Sequence, residues 1–270
     1  MKDLEVTNAA HRAVGINNKR AGYYRKFKID RNDVRPILQV ATAARQYHRR
    51  MTVPWDRGHY RLLPATLILK YTKTMKEFKH DFFAKVDDLV VRWPTVISNC
   101  RKRLGSTFKQ QDYPDAKKVK DFYSFETHFK PVPQDDHFIL QVEHSTLEEL
   151  KEKFNQDEKK NIQDVVESLW HRLFDPVKRM SEILNEQPKG KKPKIFDTLV
   201  NNLEDIVMVL PDLNINNDPQ LTEMTKRIGD ELCKFTPGQL RKDAMARKTT
   251  ANAAKKIEED MSAIMGQSQI

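Results

Sequence analysis

"RQYHRRMTVPWDRGHYRLLP" runs from residue 45 to residue 64. Long stretches of helical periodicity flank it, so its reading decides how the chain is folded. Upstream, Asp33 is a good N-cap and Pro36 suits a first turn. From there Ile37, Leu38, Val40, Ala41, Ala44 and Tyr47 carry a helix to about Met51. Downstream, Leu67, Ile68, Tyr71, Met75, Phe78, Phe82, Val86, Leu89 and Val90 recur at three- and four-residue steps. They predict a long helix from Pro64 to Trp93, ended or kinked at Pro94. Between the two, "VPWDRGHYRLLP" holds two internal breakers, Pro54 and Gly58, and closes on Pro64. It reads as a joint between helices, with Trp55 and Leu62–Leu63 buried.

A shorter helix from Thr95 to Leu104 is expected to stop at Gly105. The period then changes. "FYSFETHFKPVP" (122–133) and "HFILQV" (137–142) alternate in part and predict a β-hairpin over 122–143, connected by "PVPQDD". Residues 146–265 read as helical throughout. Ser145 or Thr146 would cap, with Glu148 and Glu149 in the first turn. Apolar stripes at 162–184 and 196–210, joined by the basic turn "NEQPKGKKPK", predict an antiparallel helical hairpin. Helices over 219–234 and 237–265 complete the chain.

The expected fold is mainly α: a helical bundle with long antiparallel helices and one small β-hairpin or sheet. The expected organisation is a basic arm or edge segment at 1–35, a helical domain at 36–144 and a helical bundle at 145–270. Its 270 residues suffice for a sizeable core, and eight glycines are few for a doubly wound α/β protein. No apolar run approaches the roughly 18–20 residues of a membrane span. The N-terminus lacks an apolar signal region, and Cys100 and Cys233 lie far apart. A cytoplasmic setting without membrane attachment follows as the expectation.

The net charge of +10 is unevenly spread. Residues 1–61 hold 14 Lys and Arg against 5 Asp and Glu; the rest hold 34 against 33. A local excess of this kind is an electrostatic footprint for an anionic partner. The candidate cations are Lys19, Arg20, Arg25, Lys26, Lys28, Arg31, Arg45, Arg49, Arg50, Arg57 and Arg61. They would neutralise phosphates and release counterions. Tyr23, Tyr24 and Tyr60, with Phe27, Tyr47 and Trp55, would stack bases. The competing reading is that the aromatics are core and the cations a solvated face.

Chemistry beyond binding has little foothold. The eight histidines are dispersed, and no C-x-x-C or H-E-x-x-H spacing occurs. Asp135, Asp136 and His137 suit a turn better than a cation site. There is no G-x-S-x-G elbow and no P-loop. Cys100, beside Arg101, Lys102 and Arg103, reads as a buried structural thiol. No cofactor, metal or enzymatic activity is expected.

The word order T-x-P-W (52–55), R-x-L-P (61–64), "DYP" and "PVP" resembles a family of uncharacterised proteins encoded by tailed phages and some bacterial mobile elements. "LPDLNINNDPQL" and "FTPGQLRKDAMAR" are similar to its C-terminal part, so the resemblance covers about residues 40–250. It implies a helix-rich, cytosolic, phage-type protein encoded among genes for DNA metabolism or AAA+-type ATPases. It brings no catalytic residues with it. The leading expectation is a non-enzymatic accessory protein that binds nucleic acid, DNA above all, through its basic-aromatic N-terminal quarter. The alternatives are a protein-interaction module, such as an adaptor for an ATPase or host factor, and a self-associating virion or assembly component. Both would act through the C-terminal helices.

Overall fold

The computed structural model describes residues 4–15, 29–56, 60–131, 144–185 and 195–267. Among these the chain is almost wholly helical, with one two-stranded antiparallel sheet. The mainly α expectation with a small hairpin is met. The chain divides into two compact units, residues 1–45 with 73–129 and residues 46–72 with 130–270.

In the first unit, α1 spans Leu4–Val14, within the stretch 1–35 read from the sequence as a basic arm or edge segment. Gly15 follows at φ 71°. Helix α2 spans Arg31–Met51, continuing past the first unit into the second. It begins two residues before the expected cap. Asp30 fills that role, its carboxylate accepting from the Asn32 N–H at 2.9 Å. Asp33 instead sits in the first turn, 3.9 Å from Arg92.

Helix α3 spans Ile68–Leu104 without interruption, so the expected break at Pro94 is corrected. Proline inside a helix costs about 3 kcal/mol. Around it Leu89, Trp93, Val96 and Cys100 are buried. Each large apolar side chain buried contributes about 1.5–3 kcal/mol, and together they outweigh the lost hydrogen bond. The Trp93 indole N–H also donates to the Pro114 carbonyl at 2.9 Å. Gly105 terminates the helix as expected, at φ 52°. The short helix α4, Ala116–Val119, and the aromatic cluster of Phe82, Phe83, Tyr123 and Phe125 close this core.

The expected hairpin over 122–143 does not form in its described part: residues 123–131 carry no strand. Its remaining residues lie outside the described ones. The sheet lies instead in the second unit, at β1 (Val53–Trp55) and β2 (Tyr60–Leu62), inside the joint. Val53 pairs with Leu62, Pro54 with Arg61 and Trp55 with Tyr60. Strands of three residues are too short for alternation to show.

The C-terminal helices are α5 (His144–Asn185), α6 (Thr198–Leu213), α7 (Pro219–Leu232), α8 (Pro237–Lys242) and α9 (Ala244–Gln267). α5 packs on α9, α6 and β1. Its stripe of Val165, Leu169, Leu173, Val177, Met180 and Leu184 is buried, as expected. The helix predicted over 237–265 is two, divided at Asp243. That carboxylate accepts from the Met245 and Ala246 N–H groups at 2.8 and 3.3 Å and so starts α9. The basic turn at 186–194 lies outside the described residues.

Candidate nucleic-acid interface

The C-terminus of α2 ends with carbonyls that no helical N–H can reach. The residues after it supply the partners. The Thr52 hydroxyl donates to the His48 carbonyl at 2.6 Å. Arg61, directed inward from β2, donates from Nε to Thr52 Oγ1 at 2.7 Å. Its Nη2 donates to the carbonyls of Thr52 at 2.8 Å and Arg49 at 3.3 Å. Arg172, from the middle of α5, donates from Nη2 to the Arg49 carbonyl at 2.9 Å and to the Thr52 carbonyl, and from Nη1 to the Arg50 carbonyl at 3.5 Å. Positive charge at a helix C-terminus is favoured by the helix dipole, so two guanidiniums form the cap here.

These two cations lie beside a third. The Arg49 side chain is exposed and makes no ion pair among the described residues. Arg50 is paired with Asp205 of α6 and lies 5.6 Å over the Tyr47 ring. The electrostatic imprint is consistent. Burial pushes Arg172 down to about 10, with Arg61 adding to the effect. Burial, then Arg49, lowers Arg61. Burial, then Arg61 and Arg49, lowers His48, whose Nδ1 lies 2.8 Å from the Tyr71 hydroxyl. Burial and like charges push these groups the same way, and among the described residues no carboxylate offsets the shift.

The predicted residues therefore divide. Arg49, Arg50 and Arg61 gather at this end of α2. Arg45 is exposed on α2 within the first unit. Tyr60 is half exposed, and Lys130 covers one ring face, its Nζ 4.9 Å from the centroid and 3.1 Å from the hydroxyl. Lys19, Arg20, Tyr23, Tyr24, Arg25, Lys26 and Arg57 lie outside the described residues, as do Asp135, Asp136 and His137. Cys100 is 1% exposed in the first unit's core. Tyr47 and Trp55 are buried and half-buried.

Sequence reasoning missed Arg172. A signal was present: Arg172 falls seven residues after Val165, on the same stripe of α5 as Val165 and Leu169. A cation at a core-facing position needs acceptors, and here they are the ends of another helix. No helix among the described residues is long and apolar enough to cross a membrane. Compared with family models, curated proteins and solved structures, the chain has no match.

Proposed function

We propose that this chain is a nucleic-acid-binding accessory protein of the phage type that its sequence resembles, holding DNA through phosphates at the joint after α2. One observation carries the reading. Arg49, Arg50, Arg61 and Arg172 converge on the end of one helix, and among the described residues a single carboxylate, Asp205, answers them. Two unit charges about 4 Å apart repel by about 4 kcal/mol at an effective dielectric of 20. The helix dipole returns only about half a charge. A polyanion laid against this surface relieves the remainder and releases counterions.

The test is fluorescence anisotropy with labelled single-stranded and duplex DNA at two salt concentrations, with Arg49→Ala and Arg45→Ala tested singly and together. The expected result is salt-steep binding, weakened in the double variant, with a salt slope reduced by roughly 0.9 for each phosphate no longer neutralised. Binding that is absent at low salt, or indifferent to both substitutions, overturns the reading.

A second reading, a protein-binding or self-associating module, draws on exposed apolar side chains of the C-terminal helices. Met208 of α6 and Met245 of α9 are 69% and 74% exposed, and Phe196 before α6 is 65% exposed. Sedimentation that stays monomeric at high concentration counts against the self-associating form.

A further inference from the structure

We infer that a groove between α5 and α9 is a seat for a small alkyl polyamine, a flexible chain carrying several ammonium groups. The inference goes beyond the nucleic-acid reading and does not rest on it, because the groove carries the opposite charge.

The groove holds about 570 Å³, within the range of small-molecule sites. α5 supplies Ser181, Glu182 and Asn185 to its lining, and α9 supplies Lys255, Glu258 and Glu259. Three carboxylates thus stand against one ammonium, in a chain whose net charge is +10. None of these four charged groups makes an ion pair among the described residues.

Ser181 is the second observation. It is 5% exposed, the most buried residue of the lining, yet its hydroxyl has no partner among the described residues. A hydroxyl inside a helix can donate back to the carbonyl four residues earlier. Thr225 and Thr250, also buried, do so to Leu221 and Ala246 at 2.7 and 2.9 Å. Ser262, across the groove on α9, does so to Glu258 at 2.8 Å. Ser181 makes no such bond, so its hydroxyl remains for what enters the groove. Asn185 donates its side-chain N–H to the Ser181 carbonyl at 2.8 Å, which leaves its side-chain oxygen as a further acceptor.

The lining selects the occupant. An ammonium has three N–H donors and no acceptor, so it takes hydroxyl and carboxylate oxygens together. The carboxylates are not gathered round one point as the ligands of a hard cation are: no group of His, Cys, Asp and Glu among the described residues could hold a metal ion. Negative charge spread over two helices suits a ligand whose positive charges are also spread, along a chain that bends to reach them.

The experiment is calorimetric titration of the full chain with spermidine at about 0.15 M salt, where distant charges are screened. The expected result is saturable binding at one site. Ser181→Ala should weaken it by about fivefold while the protein stays at least as stable as the parent, since the lost hydroxyl has no partner in the fold. Glu258→Gln combined with Glu259→Gln should weaken it by about tenfold. Lys255→Gln should strengthen it, and Lys256→Gln, the same charge change one residue along α9 and outside the lining, should not. Spermidine affinity unchanged in Ser181→Ala and in the double glutamine variant overturns the seat. So does displacement of spermidine by magnesium at equal charge, which would mark diffuse attraction. A lysine-rich peptide that binds far more tightly than spermidine, with the same sensitivity to the variants, overturns the small-amine occupant in favour of a basic protein segment.

Discussion

Arg61 on a three-residue strand and Arg172 on a 42-residue helix donate hydrogen bonds to the same two carbonyl oxygens, those of Arg49 and Thr52. Two cations that would otherwise repel are held together by the end of a third element. The cap is thereby also the place where the second unit concentrates positive charge.

Removing one of the pair should be costly for the fold. Arg172→Met leaves the Arg50 carbonyl without its donor and thins the partners of Arg49 and Thr52. A buried polar group left unsatisfied costs about 1–3 kcal/mol. Relief of repulsion with Arg61 offsets part of this, so a loss of about 1–2 kcal/mol is expected. Urea denaturation reads it directly. A variant as stable as the parent would mean that the carbonyls find other partners.

Acid should weaken the fold through His48. Its folded pKa lies below the ordinary value because of burial, Arg61 and Arg49. As pH falls below the ordinary 6.5 toward the lowered value, the unfolded chain takes up the proton first, and stability declines. The expected outcome is a lower urea midpoint at about pH 5.5 than at about pH 7.5, with the difference reduced in His48→Gln. Equal pH dependence in parent and variant would assign the effect elsewhere.

Pro94 lies inside a continuous helix with its ring exposed. Pro94→Ala restores an N–H and should stabilise the chain. The gain of about 3 kcal/mol in helix propensity is reduced by the extra freedom of the unfolded chain, leaving about 1–2 kcal/mol. Thermal melting above the parent's temperature is the expected reading; a lower one would show that α3 is held better with the proline in place.

Asp243→Ala should fray the start of α9. The carboxylate holds two N–H groups there, and losing such a cap costs about 1 kcal/mol. Amide exchange at Met245 and Ala246 should accelerate while the centre of α9 stays protected. Uniform protection in the variant would remove the cap from the account.

The architecture was readable where apolar side chains repeat over many turns. The stripes from Ile37 to Met51, Leu67 to Val90 and Val165 to Leu184 each became a helix face. Gly105 stopped its helix because glycine accepts a backbone turned to positive φ. Pro94 misled because a local rule was overruled by burial around Trp93. The hairpin was misplaced because three-residue strands leave no alternation to read, whereas "FYSFETHF" alternates without pairing over its described length. Asp243 was hidden among other polar residues. The arginine-rich stretch was legible as a joint and as a charged surface. What it did not reveal was that Arg61 turns inward, since that depends on Arg172, which lies far along the chain.

That separation bears on the order of folding. The carbonyl of Thr52 and the guanidinium of Arg172 are 120 residues apart in sequence, and Arg50 and Asp205 are 155 apart. Closing loops of that length is slow compared with winding a helix. The last turn of α2 can therefore form early but cannot be secured until α5 arrives beside it. In a pulse-labelled refolding experiment, protection at the end of α2 should appear with the C-terminal helices rather than with the rest of α2.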